Sequence, residues 1–215
     1  MNSSVWVKIC GLMQPEQAVA IARLGAAAIG FICVRSSPRY VTPLQIQAIS
    51  QALIDALPTQ VERVGVFANA DLATITNTIE TGKLTTLQLH GQESPAMCTD
   101  IRKAHPTLKI IKAFRIRTET DLLSTAPYEE MVDALLLDAY HPQLLGGTGQ
   151  TLDWQSLTTF QPSKPWLLAG GLTPDNVLQA LARLTPQGID VSSGVEVSPG
   201  NKSLAKVERL FQRLK

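Results

Sequence analysis

The stretch Ala134-Leu135-Leu136-Leu137-Asp138 decides the fold. Its apolar residues do not alternate with polar ones, so neither face of the strand they form can meet water. A strand buried on both faces belongs to a parallel sheet covered by helices. The carboxylate that ends the run is costly to bury without a partner or a task. A turn or helix cap is the plainer alternative for it.

Working outward, seven more short β-branched or apolar runs read as strands: Val5 to Cys10, Ala28 to Val34, Arg63 to Phe67, Thr86 to His90, Lys109 to Phe114, Trp166 to Ala169 and Gly188 to Ser192. Helical patterns separate them, over Pro15 to Leu24, Pro43 to Leu57, Asp71 to Glu80, Pro95 to Ala104, Asp153 to Phe160, Pro174 to Leu184 and Ser203 to Leu214, with a weaker pattern around Glu119 to Ser124. Pro at a first helical position, with Asp or Ser beside it, marks several starts, and Thr173-Pro174 predicts an N-cap followed by N1.

Eight such units in 215 residues leave about 27 residues each, and no linker divides the chain. An open doubly wound sheet gathers its ligand groups near one switch point. Here the unusual residues follow many strands: Cys10-Gly11, Arg35 to Arg39, His90-Gly91, Asp138 with Gly146 to Gly149, Gly170-Gly171, and Ser192 to Gly194. Only a closed barrel converges six separate strand ends on one mouth, so the expected fold is α/β, a single (β/α)8 TIM barrel of eight parallel strands over 1–215.

Composition narrows the partner. The chain is 45% hydrophobic and carries Lys+Arg 19 against Asp+Glu 18, for a net charge of +1. Scattered, balanced charge argues against a nucleic-acid or membrane surface and for a small molecule. The longest near-apolar run, Leu24 to Val34, falls short of the ~20 residues of a spanning helix, and the chain is read as soluble and cytoplasmic. Cys10, Cys33 and Cys98 have neither disulfide nor zinc spacing, and no HxH or HExxH occurs, so no metal is expected.

Period two puts Lys8 and Cys10 on one face of the first strand, where a lysine could stabilise a thiolate; a buried, inert thiol is the alternative. Cys10 and Asp138, at two strand ends, could then act as base and acid on opposite sides of a bound substrate. Gly170-Gly171 and Ser192-Ser193-Gly194, after the seventh and eighth strands, sit where barrels cradle phosphate on bare backbone N–H groups. Arg39 could take a carboxylate bidentately or be a solvated surface charge. Gln88 and His90 share a face. Gly147 and Gly149 lie in a glycine loop that reads equally as a lid over the mouth or as a plain flexible loop.

Taken together, KICG at Lys8 to Gly11, SPRYV at Ser37 to Val41, VGVF at Val64 to Phe67, LQLHG at Leu87 to Gly91, LLLD at Leu135 to Asp138, GGTG with DW following, LAGGL at Leu168 to Leu172, and DVSSGVE with SPG at Asp190 to Gly200 span nearly the whole chain. In order and spacing they resemble the phosphoribosylanthranilate isomerase family of tryptophan biosynthesis. The resemblance implies a cofactor-independent Amadori rearrangement of N-(5-phosphoribosyl)anthranilate to 1-(2-carboxyphenylamino)-1-deoxyribulose 5-phosphate. It puts Cys10 at the general-base position, Asp138 at the general-acid position and Arg39 at the anthranilate carboxylate. It assigns Gly170, Gly171, Ser192, Ser193 and Gly194 to the phosphate; Gln88, His90, Gly147 and Gly149 are expected to bind the substrate, with a hydrogen-bonded scaffold histidine the alternative for His90. The implied partner is this phosphosugar-anthranilate, and the chain is a monomer or a homodimer.

Departures are small: Met13 stands where the family commonly has Thr, and Ser203 where an Asp often follows Lys. The histidine-pathway aminoaldose isomerases do the same chemistry but carry a carboxylate at the first-strand position and two phosphate sites. Cys10 and the single glycine-serine cradle argue against that family.

Overall fold

The computed structural model describes residues 5–57, 61–139 and 154–215. Eight strands pair in parallel and in chain order: β1 (Trp6–Cys10), β2 (Ala28–Ile32), β3 (Glu62–Phe67), β4 (Thr86–Leu89), β5 (Lys109–Ile116), β6 (Ala134–Ala139), β7 (Trp166–Ala169) and β8 (Gly188–Val191). Pairing of β8 with β1 closes the barrel. The fold expected from the apolar strand pattern is therefore the one observed.

Strand β6 shows why an unbroken apolar run was needed. Leu136 points into the barrel, packing with Ile111, Ala113, Leu167 and Ala169. Leu135 and Leu137 join the larger outer core that the helices cover. All three leucines are fully buried, each burial stabilising the fold by roughly 1.5–3 kcal/mol. Helices α1 (Pro15–Arg23), α2 (Pro43–Ala56), α3 (Leu72–Gly82) and α4 (Pro95–Ala104) supply the cover through Ile21, Ile46, Ile75 and Ile101. Among the described residues no helix is long and apolar enough to cross a membrane.

The expected helix starts are largely present. Thr42 caps α2 in a reciprocal box with Gln45, Asp71 caps α3 by accepting from the Thr74 N–H at 2.7 Å, and Ser94 caps α4. Two segments differ. Glu119–Tyr128 forms a 3-10 helix that contains Pro127. Between Asp153 and Phe160 the described residues form only the 3-10 turn Trp154–Leu157.

Thr173 makes the bonds of an N-cap, accepting at Oγ1 from the Asn176 N–H while Asn176 Oδ1 accepts from the Thr173 N–H, but the regular helix starts three residues later than Pro174. Helix α5 spans Val177–Arg183, with Asn176 as its N-cap residue. Thr173 Oγ1 also accepts from the N–H of Asp175, the Thr173 carbonyl accepts from the Val177 N–H at 3.1 Å, and Asn176 donates from Nδ2 to the Gly171 carbonyl at 2.9 Å. These bonds make a turn that ties the helix start to the glycine loop after β7. The pattern also missed a hairpin of β9 (Glu196–Ser198) and β10 (Asn201–Lys202), turned through Gly200 at φ 81°, before α6 (Leu204–Arg213).

Candidate active site

At the C-terminal mouth of the barrel lies a cavity of about 260 Å³. Cys10 from β1, Gln88 from β4 with His90 just beyond it, and Asp138 from β6 contribute to its wall. Arg39, Gly170, Gly171, Ser192, Ser193 and Gly194 line it too. The structure thus brings these sequence-predicted residues to one place, as strand ends of a barrel must converge. Gly147 and Gly149 lie outside the described residues.

The Cys10 wall is built by register. Lys8 stands opposite Asp190 across the β1–β8 ladder, and its ammonium donates to Asp190 Oδ2 at 2.8 Å. Opposite Cys10 stands Gly30, where an added Cβ would lie 2.7 Å from the Cys10 sulfur. Only a missing side chain leaves room for the thiol there. Lys8 does not settle the thiol's charge as simply as the two-residue period suggested. Burial pushes the Cys10 thiol up; Lys8 opposes this, Asp190 adds to it, and the net direction is upward. Burial pulls the Lys8 ammonium the other way, but Asp190 and Cys10 outweigh it and raise its pKa. The lysine's charge is shared between a carboxylate and the thiol.

Opposite that wall, Asp138, Gln88 and His90 form a chain. Gln88 Nε2 lies 3.2 Å from His90 Nδ1, and His90 Nε2 lies 3.3 Å from Asp138 Oδ2. With the Gln88 amide donating to Nδ1, the neutral ring carries its proton on Nε2, where it faces Asp138. The loop bearing His90 rests on a buried ion pair that sequence reading missed. Lys112 donates to Glu93 Oε2 at 3.1 Å and to the Gly91 carbonyl at 2.8 Å, while Glu93 accepts from the N–H groups of Gly91 and Asn69.

Arg39 is paired and only 22% exposed. Its Nε and Nη2 donate to the two oxygens of Glu196 at 2.9 and 2.6 Å, leaving Nη1 outside that pair. Lys202 donates to Glu196 Oε1 at 2.7 Å. Lys202 Nζ also lies 3.3 Å from the Ser192 carbonyl, and Ser192 Oγ donates to the Cys10 carbonyl at 3.0 Å. Burial acts to raise the Glu196 carboxyl, but hydrogen bonds from Arg39, Lys202 and the Gly200 N–H outweigh it and hold it at about 2. The acidic residue in DVSSGVE was the available signal for this cluster, but a single Glu does not disclose its partners.

The glycine loops after β7 and β8 touch back to back. A Cβ on Gly194 would lie 1.9 Å from the Leu172 carbonyl oxygen, so only glycine allows the approach. Gly170 and Gly171 adopt φ of 93° and 63°. Cys33 and Cys98 stand away from the cavity wall; burial pushes the Cys33 thiol up to about 12.

Residues 7–213 match the family model described as N-(5'phosphoribosyl)anthranilate (PRA) isomerase. The chain is 58% identical to the N-(5'-phosphoribosyl)anthranilate isomerase of Acaryochloris marina (strain MBIC 11017), over 97% of each chain. It is 59% identical to that of Synechococcus elongatus (strain ATCC 33912 / PCC 7942 / FACHB-805), over 97% of this chain and 95% of the relative. Among solved structures, the phosphoribosyl anthranilate isomerase from Thermotoga maritima superposes with a TM-score of 0.86 at 34% identity, covering 98% of each chain. A phosphoribosyl anthranilate isomerase in complex with reduced 1-(o-carboxyphenylamino)-1-deoxyribulose 5-phosphate superposes at 0.81 with 32% identity, again over 98% of each.

Proposed function

The chain belongs to the N-(5'-phosphoribosyl)anthranilate isomerase family of tryptophan biosynthesis, and from that premise we propose that Cys10 is its general base and Asp138 its general acid, with the whole of 1–215 acting as one catalytic barrel. The observation that carries this reading is that a thiol on β1 and a carboxyl on β6 line one cavity that also holds the glycine-serine loops after β7 and β8.

The phosphate of N-(5-phosphoribosyl)anthranilate rests on backbone N–H groups of Gly170, Gly171, Ser192, Ser193 and Gly194. The N–H groups of Arg39 that Glu196 does not use take the anthranilate carboxylate. With His90 Nε2 3.3 Å from Asp138 Oδ2, the acid proton is carried on the other carboxyl oxygen, where it can be aimed at the ribose. Asp138 gives that proton to the ring oxygen as the C1′–O bond breaks and the anilinic lone pair forms the C1′=N iminium. The iminium acidifies C2′, whose proton passes to the Cys10 thiolate, and the electron pair left behind forms the enolamine. Ketonisation follows as C1′ gains a proton and the C2′ hydroxyl loses one. Gly147 and Gly149 are assigned to substrate binding.

Turnover of freshly made phosphoribosylanthranilate, followed by loss of its fluorescence, tests the roles. Cys10→Ala and Asp138→Asn are each expected to lower kcat by ~10²–10⁴-fold. Either variant turning over at the wild-type rate removes its residue from the mechanism.

A further inference from the structure

A buried cation that the proton transfers do not use stands on the outer face of the barrel. Ile111 and Ala113 point into the barrel, so the strand period turns Lys112 outward, into the layer between sheet and helices. There it is 2% exposed, beside Glu93 at 3%. Its ammonium lies 5.4 and 5.7 Å from the ring centres of Phe114 and Tyr128. A buried ion pair seldom stabilises a fold more than apolar side chains of the same volume, so packing alone does not account for a charge at this position.

Its bonds do account for it. Lys112 Nζ lies 3.3 Å from the carbonyl of Leu89, its register partner on β4, and 2.8 Å from the carbonyl of Gly91. These two carbonyls belong to the residues on either side of His90. Glu93, 3.1 Å from the same ammonium, accepts from the Gly91 N–H at 2.9 Å, and the N–H of His90 itself donates to the Phe67 carbonyl at 2.7 Å. The loop has no room to relax at Gly91 either, where an added Cβ would lie 2.5 Å from Asn69 Oδ1 and 2.7 Å from Glu93 Oε1. The backbone around His90 is thus tied to β3 on one side and to β5 on the other.

The imidazole needs such a frame. It meets Gln88 Nε2 through Nδ1 at 3.2 Å and Asp138 Oδ2 through Nε2 at 3.3 Å, so a movement of its backbone that improves one contact spoils the other. Misplacement of a positioned group by about 1 Å is enough to cost much of its effect.

Resting on the reading of Asp138 as the acid, we propose that Lys112 is a positioning residue for that acid: its ammonium, bonded to the carbonyls before and after His90, holds the imidazole so that Nε2 stays on Asp138 Oδ2 and the acid stays aimed at the ribose. Lys112 is not part of the wall that holds Cys10 and Asp138, so it acts through His90 and not on the substrate.

The test is the paired replacement Lys112→Met with Glu93→Gln, which removes the ammonium, leaves an acceptor for the Gly91 N–H and strands no buried charge. It is expected to lower kcat about 10-fold, and by no more than His90→Ala does. The dissociation constant of the reduced product, 1-(2-carboxyphenylamino)-1-deoxypentitol 5-phosphate, should stay within about 2-fold, because Arg39 and the glycine-serine loops stand on other walls. Carried into His90→Ala, the same pair is expected to leave kcat where His90→Ala alone puts it. A merely structural role lowers kcat by the same factor in both backgrounds, and equal factors overturn the proposal. Wild-type kcat in the paired variant overturns it too, and with Asp138→Asn still slow the acid keeps its role. Wild-type turnover by Asp138→Asn removes the acid and this inference with it. Thermal unfolding checks that the paired variant folds. If it does not, Lys112→Arg goes through the same cycle: it keeps the charge beside Glu93, but a planar guanidinium does not gather converging carbonyls as an ammonium does. The same loss, absent in the His90→Ala background, is expected, and wild-type kcat or equal factors again overturn the proposal.

Discussion

Arg39 and Glu196, 157 positions apart, meet end to end, with Nε and Nη2 of the guanidinium on both carboxylate oxygens at 2.9 and 2.6 Å. The pair joins the loop after β2 to the hairpin after β8, and Lys202 donates to Oε1 of the same carboxylate. A guanidinium gripped on two nitrogens loses most of its rotamer freedom before the substrate arrives, so the cost of ordering it is already met on folding.

Glu196→Gln is expected to raise KM about 10-fold with a smaller change in kcat, because the amide cannot hold both guanidinium nitrogens and Arg39 loosens. Steady-state kinetics separate the two parameters, and an unchanged KM removes Glu196 from substrate positioning. The same variant has a signature in acid. A carboxyl held at about 2 in the fold but titrating near ~4.3 when unfolded stabilises the protein above the unfolded value, and that contribution is lost as pH falls toward the folded one. Chemical denaturation from pH 5 down to pH 2.5 should show the wild type losing its advantage over Glu196→Gln.

The direction of the Cys10 shift predicts the pH profile. Burial, opposed by Lys8, leaves the thiol raised, so the free enzyme is mostly in the thiol form at neutrality and the thiolate fraction grows with pH. The expected kcat/KM climbs from neutral into alkaline solution. A plateau that begins below pH 7 would show that the base is another group.

His90 and Asp138 are expected to act as one unit. His90→Ala leaves Asp138 present but unaimed and should lower kcat about 10-fold or more, while Asp138→Asn lowers it ~10²–10⁴-fold. Groups that act together are strongly non-additive, so the double variant should be no slower than Asp138→Asn alone. Multiplying effects, in rates measured under saturating substrate, would show that His90 works independently of the acid.

Much of the barrel was legible because its signal is local. The apolar run at Leu135 to Leu137 requires cover on both faces, and the glycines, Cys10 and Asp138 follow strands whose ends converge by topology alone. Local reading stopped short where long-range pairing adds a partner. Arg39 read as a solvated charge or a carboxylate reader, because nothing near it in sequence announces Glu196. Lys8 read as a partner for Cys10, because Asp190 lies 182 residues away on the strand that closes the barrel. At the start of α5, Thr173 makes the capping bonds its sequence predicts, whereas the bond from Asn176 to the Gly171 carbonyl, which ties that cap to the loop after β7, had no local signal.

The two glycine loops make the last prediction, a contrast between Gly171 and Gly194. Gly171 has φ of 63° and nothing within 4 Å of an added Cβ, so Gly171→Ala costs only the left-handed backbone penalty, about 1–2 kcal/mol. Gly194 has no such room. Its Cβ would meet the Leu172 carbonyl oxygen at 1.9 Å, and since backbone lies on both sides of the contact the two loops must part. Phosphate bound on N–H groups from both loops then loses one side of its cradle. Inorganic phosphate and the reduced product analogue should both bind Gly194→Ala at least ~10-fold more weakly than Gly171→Ala, a difference of about 1.4 kcal/mol. Calorimetric titration of both variants decides it: equal weakening would mean that the phosphate does not span the loops, and no weakening in Gly194→Ala would place it elsewhere in the mouth.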